Sequence, residues 1–166
     1  MNHLEQHNLL ADIQHGFRSK HSCETQLITI VEQIARQLDI GKQVDTIILD
    51  FSKAFDTVPH RRLLHKLDGY GIRGNILTWI EAWLIHRHQT VVIDGSNSTE
   101  VPVKSGVPQG TVLGPLMFLL YINDIGDKIQ SSLRLFADDS LLYGVINNNH
   151  EAIVLQEDLN TFVQWA

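Results

Sequence analysis

Three aspartates placed where apolar runs end are the residues of this chain best suited to chemistry. Asp138 and Asp139 sit together in Phe136-Ala137-Asp138-Asp139, with Leu133, Leu135 and Phe136 before them and Leu141, Leu142 and Tyr143 after. Both flanks read as short strands, so the pair falls where a hairpin over 133–144 would turn. Asp50 stands at the end of a second apolar run, 44–51. Taken singly, each acid reads as a solvated turn or strand-end residue, a common place for Asp. Taken together they read differently, because sheets gather their strand ends. Close carboxylates repel one another unless a cation lies between them. A hard-oxygen donor set without a Cys or His cluster favours Mg²⁺ or Mn²⁺ over Zn²⁺. Two such ions ~4 Å apart suit in-line attack on a phosphate. Alternation along a strand sends Asp138 and Asp139 to opposite faces, so one of the two is expected to aim at Asp50 and the other to support or complete the site.

The elements that must hold these acids are legible as patterns. Cys23, Leu27, Ile30, Val31, Ile34, Ala35 and Leu38 recur at helical spacing and predict a helix with one buried stripe, capped by Ser22 and ended by Gly41. The run 44–51 predicts a largely buried strand. Pro59 suits the first turn of a helix over 59–68, closed by Gly69. A further helix is predicted over 75–86, then a hairpin of 90–94 and 99–104 joined by Gly95-Ser96-Asn97-Ser98. A loop rich in Gly and Pro, 105–114, feeds an apolar helix over 113–125. The last segment, 149–166, is helical, with Ala152, Leu155, Leu159, Phe162, Val163 and Ala166 on one face. It stops at Trp165-Ala166 without a cap or polar tail, which predicts a chain cut from a longer one.

Composition bounds the function classes. The 166 residues are 43% hydrophobic and 19% charged, the profile of a globular domain. A net charge of −6 excludes a module that binds nucleic acid by bulk positive charge. The single Cys23 rules out an intramolecular disulfide. The N-terminus has no signal-peptide pattern and no apolar run approaches the ~18 residues of a membrane span. An intracellular site, nucleus or cytoplasm, is expected, with no membrane partner.

Four motifs occur in order: Gln14-His15-Gly16-Phe17-Arg18-Ser19, Leu49-Asp50-Phe51-Ser52-Lys53-Ala54-Phe55-Asp56, Ser105-Gly106-Val107-Pro108-Gln109-Gly110, and Phe136-Ala137-Asp138-Asp139. Together they resemble the upstream fingers motif and the three palm motifs of reverse transcriptases, specifically those of non-LTR (LINE-type) retrotransposons. The resemblance implies an α+β fold: a polymerase palm, a small antiparallel sheet backed by helices, with part of the fingers and no thumb. It implies one domain over 1–166, with 1–43 and 61–104 fingers-like and 44–60 and 105–166 palm-like. Its implied activity is RNA-directed DNA polymerisation, two-metal transfer of dNTPs onto a primer 3′-hydroxyl, with an RNA template and a DNA primer as partners. By the same resemblance Asp50, Asp138 and Asp139 are catalytic and hold two Mg²⁺ or Mn²⁺ ions. Ser52, Lys53 and Ala54 face the triphosphate, and Phe55 takes the position that screens the sugar 2′-hydroxyl. Gln109 and Gly110 lie against the nascent base pair, where Gly106 also lets the backbone approach closely. Arg18 would touch template phosphate, or remain a solvated loop residue. Asp56 is expected to cap the following helix.

Three weaker patterns have plainer explanations. Gly69-Tyr70-Gly71-Ile72-Arg73-Gly74 fits G-x-G-x-x-G, but helix rather than strand precedes it, so it reads as a helix–helix connection. His3-Leu4-Glu5-Gln6-His7 has its Glu misplaced for a zinc-protease pattern and reads as a solvated terminus. Trp79 and Trp83 read as core. Relatives with this resemblance continue into a thumb, and many carry an upstream endonuclease domain. The alternative function is therefore an inactive fragment of a retrotransposon polyprotein that at most binds nucleic acid or protein.

Overall fold

A computed structural model of the chain describes residues 2–166, with side chains from Leu4 onward. In chain order it contains α1 (Asn2–Gln6), α2 (Cys23–Asp39), β1 (Gln43–Leu49), α3 (Ala54–Thr57), α4 (His60–Gly69) and α5 (Asn75–Ile85). Four two-residue strands follow: β2 (His88–Gln89), β3 (Val92–Ile93), β4 (Ser96–Asn97) and β5 (Val101–Pro102). The chain then forms α6 (Leu113–Ile122), β6 (Ser132–Phe136), β7 (Asp139–Ile146) and α7 (Asn149–Trp165). Residue 1 and the side chain of His3 lie outside the described residues, and with them part of the His3–His7 pattern. Two compact units result, one taking residues up to Leu9 with Lys53–Tyr121, the other Leu10–Ser52 with Ile122–Ala166.

That second unit is built on a three-stranded antiparallel sheet in the order β1-β7-β6. Leu133 and Leu135 of β6 stand opposite Leu142 and Ser140 of β7, which stand opposite Ile47 and Leu49 of β1. Strand alternation puts these six on one face, and Leu133, Leu135, Ser140 and Leu142 are buried there. Helix α7 follows β7 and contributes buried Leu155 and Phe162, with Phe162 5.4 Å from the ring of Phe51. Val163 and Ala166, expected on its inner face, are exposed. A reciprocal cap starts the helix: Asn148 Oδ1 accepts from the Glu151 backbone and Glu151 Oε2 accepts from the Asn148 backbone. Asp158, only 2% exposed, is spent on the chain entering β6, where its carboxylate accepts from the N–H groups of Gln130 and Ser131.

Helix α2 departs from expectation. Ser22 and Thr25 cap it reciprocally, as its sequence allows. Its apolar stripe buries only in part: Leu27, Val31 and Leu38 are 54%, 61% and 55% exposed, while Ile30 and Ile34 are half-buried. The reason is what the sheet offers. Arg134 and Tyr143 both donate to Gln33 Oε1, and Gln26 Nε2 donates to Leu135 O at 3.1 Å. The helix therefore docks through two glutamines, two turns apart, and its stripe borders an open groove of about 280 Å³ with Ile48, Phe136 and Leu141.

In the other unit α4 and α5 form a helical hairpin over buried Leu63, Leu67, Ile80 and Leu84. Gly71 and Gly74 take positive φ in the connection, so the G-x-G-x-x-G pattern is a helix–helix turn. Trp79 corrects an expectation: it is 54% exposed, and its ring lies parallel to that of Trp83 at 6.0 Å. The hairpin that follows turns at Asp94-Gly95, both at positive φ, so Ser96 and Asn97 are paired strand rather than loop. Helix α6 is apolar all round and buried from Met117 to Ile122, the pattern of a central helix.

Candidate active site

The sheet register gathers the acids. Leu49 and Ser140 are the last pair between β1 and β7, and one step beyond them lie Asp50 and Asp139. Asp139 also pairs with Phe136 of β6, closing a two-residue turn made of Ala137 and Asp138. All three acids thus belong to one unit and one end of one sheet. Asp50 and Asp139 are exposed and Asp138 is half-buried. The register sets Asp139 across from Asp50 and leaves Asp138 at the tip of the hairpin. As the side chains stand, no three His, Cys, Asp or Glu groups among the described residues converge closely enough to hold a metal ion.

The turn has a support that the sequence did not reveal. Ala137 sits at φ 55, and the buried side chain of Gln14 bonds its backbone at both ends. The segment 13–15 runs beside β6: Leu135 N donates to Ile13 O at 2.8 Å and His15 N to Leu135 O at 2.9 Å. Arg18 belongs to the same segment. Its Nη1 donates to Ala11 O at 2.8 Å and Gln14 O at 3.3 Å, and its side chain is 13% exposed. His15 packs edge-on to His21 at 4.6 Å. Burial first, then the positive charges of His21, Arg134 and Arg18, hold its pKa below the ordinary histidine value.

The remaining expected residues fall in two places. Ser52 belongs to the unit of the acids, whereas Lys53, Ala54, Phe55, Gln109 and Gly110 belong to the other. Ser52 and Lys53 form an exposed turn, with Lys53 at φ 53. Phe55 is half-buried and stacks on Phe118, centroids 4.3 Å apart. Gln109 Nε2 donates to Asp56 Oδ1 at 2.8 Å, so Asp56 ties down the glutamine loop instead of capping α4, whose N-cap is Pro59. Gly106 is also not what was expected. At φ 84, its close approach is to the Asp56 backbone, 2.7 Å from where a Cβ would stand, and the glycine is buried. Ser105 Oγ to Asp56 O, Gly106 N to Val58 O and Val107 N to Phe55 O, each 2.8 Å, zip these two segments together. Arg87 Nη2 and His60 Nε2 close on Gly106 O from the other side. Gly110, at φ 73, faces open space. A cavity of about 710 Å³ adjoins this loop, with Lys53, Arg87, His88, Lys104, Asp56 and Gln109 in its lining. Three strong bases against one acid make it attractive to anions.

Carboxylate oxygens alone, at the end of adjacent strands, are the donors that Mg²⁺ or Mn²⁺ take, so the residues fit such ions in kind. The architecture is the α+β fold of a polymerase palm with part of the fingers. A solved structure of apo telomerase from Candida tropicalis, truncated from its C-terminal domain, matches it with a TM-score of 0.68. That match covers 96% of this chain and 34% of that one at 13% identity. Residues 1–166 match the family described as reverse transcriptase (RNA-dependent DNA polymerase), and the chain belongs to that family. It is 32% identical over 169 residues to a probable RNA-directed DNA polymerase from transposon X-element of Drosophila melanogaster, covering 98% of this chain and 18% of that protein. It is 30% identical over 178 residues to the corresponding protein from transposon BS of the same fly, covering 98% and 19%. The chain thus spans about a fifth of the length of these relatives. No helix among the described residues is long and apolar enough to cross a membrane.

Proposed function

We propose that this chain carries the nucleotidyl-transfer centre of an RNA-directed DNA polymerase of a non-LTR retrotransposon. The observation that carries the reading is the register that sets Asp50 and Asp139 one step beyond Leu49 and Ser140, with Asp138 in the adjoining turn. In the reaction a primer 3′-hydroxyl oxygen attacks the α-phosphate of a dNTP, the bond to the bridging oxygen breaks, and diphosphate leaves. Divalent ions, when bound, neutralise charge at the attacking and leaving oxygens. The chain's own part is positioning. Asp50, Asp138 and Asp139 supply the carboxylates that would hold the ions, with Asp138 as the ligand shared with Asp50. Ser52, Lys53 and Ala54, which follow Phe51, receive the triphosphate; the basic cavity lined by Lys53, Arg87 and Lys104 is suited to an anionic ligand. Gln109, oriented by Asp56, and Gly110 border the new base pair, and Phe55, backed by Phe118, screens the sugar. Arg18 Nη1 holds its own loop through the carbonyls of Ala11 and Gln14, and the same side chain is assigned to template phosphate. The fingers-like segments remain 1–43 and 61–104, and the palm-like segments 44–60 and 105–166. An RNA template, a DNA primer and the further domains of a longer polyprotein are the partners.

Primer extension on an RNA template with Mg²⁺ tests this reading, using the chain within its full reading frame. Asp138→Ala is expected to lower incorporation by about a thousandfold or more, the scale of losing a charge-stabilising group. Incorporation that survives Asp138→Ala would sink the metal-ligand assignment. No incorporation by the intact protein would favour the non-catalytic alternative.

A further inference from the structure

Gln14 is 2% exposed, and its amide is committed to one turn and the loop beside it. Nε2 donates to Ala137 O at 3.1 Å, and Oε1 accepts from Ala137 N at 2.9 Å and from Gly16 N at 2.7 Å. One side chain therefore satisfies both backbone polar groups of Ala137, as a neighbouring strand would. It continues the pairing that Ile13 and His15 make with Leu135. Gly16 lets the loop come this close: a Cβ there would stand 2.2 Å from Ala137 N and 2.9 Å from Ala137 Cα. Ala137 needs such help. Its φ of 55 is one that residues with a side chain rarely adopt, and alanine has no polar group with which to stabilise it. The next residue is Asp138.

We propose that Gln14 and Gly16 form a clamp that fixes the left-handed turn at Ala137 and so aims the Asp138 carboxylate; both are positioning residues. The proposal rests on the reading of Asp138 as a metal-binding carboxylate. A space-filling role for Gln14 would be met equally by leucine. The clamp would not, since leucine leaves Ala137 N–H and C=O buried without partners.

Two measurements on the full chain test it. The first is amide hydrogen exchange. In the unaltered protein the Ala137 N–H exchanges about a hundredfold or more below its intrinsic rate, as a buried bonded amide does. Gln14→Leu raises exchange at Ala137 by about tenfold or more, the factor expected for one lost buried hydrogen bond, and leaves Leu133 and Leu142 protected. The second is Mn²⁺ affinity read by water-proton relaxation. Its Kd rises by about tenfold in Gln14→Leu and in Gly16→Ala, which drives a Cβ into Ala137 N. Fast exchange at Ala137 in the unaltered chain overturns the clamp, and needs no variant to fold. Exchange loosened at Ala137 with Mn²⁺ affinity unchanged overturns its role in aiming Asp138. Mn²⁺ affinity indifferent to Asp138→Ala overturns the reading of the site but leaves the exchange result standing, so the two failures are distinct.

Discussion

His15 shows how much a single side chain in the upstream motif is asked to tolerate. Its ring is half-buried, Nδ1 has no hydrogen-bond partner, and the groups facing it are His21, Arg134 and Arg18. Burial and these charges lower its pKa from 6.5, so the folded chain takes up this proton later than the unfolded chain as pH falls. Stability is therefore full above about pH 6.5 and declines below it, until the folded-state pKa is passed. The melting temperature should drop between about pH 7.5 and pH 5.5, and His15→Phe should flatten that drop; an unchanged slope would remove His15 as its source. Asp158 is a residue on which the fold depends more simply. It accepts from two backbone N–H groups in a setting 2% exposed, so Asp158→Ala should cost about 2–3 kcal/mol in chemical denaturation. A loss under about 0.5 kcal/mol would mean that solvent replaces the carboxylate.

At the scale of elements, periodicity located most of the helices and strands but could not say which stripe of a helix meets the sheet. In α2 the seven apolar positions outvote two glutamines in any sequence reading, yet Gln26 and Gln33 make the contacts. Nothing local announces this, because it depends on Arg134 and Tyr143 projecting from strands a hundred residues away. Leu27→Glu and Val31→Lys should accordingly change stability by no more than about 0.5 kcal/mol each, against the 2–5 kcal/mol of truncating a buried leucine. A larger loss would return the stripe to the core. Two further features are written plainly in the residues. Asp94-Gly95 is a strong two-residue hairpin signal, and Asn148 with Glu151 is an N-cap pattern that the structure uses. The three acids stand out in the sequence because carboxylates are conspicuous among apolar strands, and the register places them at one end of one sheet. Gln14 does not stand out, because an amide in a polar loop looks like any other until its partner Ala137 is placed.

At the scale of the molecule, one unit holds the sheet and its acids and the other holds the glutamine loop and the basic cavity. The chain carries a net charge of −6, so a phosphate-bearing ligand must be met by local bases or by bound cations rather than by the overall field. On the proposed reading the acids at the end of the sheet matter for this reason: carboxylates receive a polyphosphate only with cations between. The most direct test is therefore Mn²⁺ titration followed by paramagnetic broadening of backbone resonances, which needs neither substrate nor turnover. Asp50, Asp138 and Asp139 are expected to broaden first and together, and Asp138→Ala to weaken the effect by about tenfold or more. Broadening spread evenly over the exposed acids of the chain, and indifferent to Asp138→Ala, would contradict it.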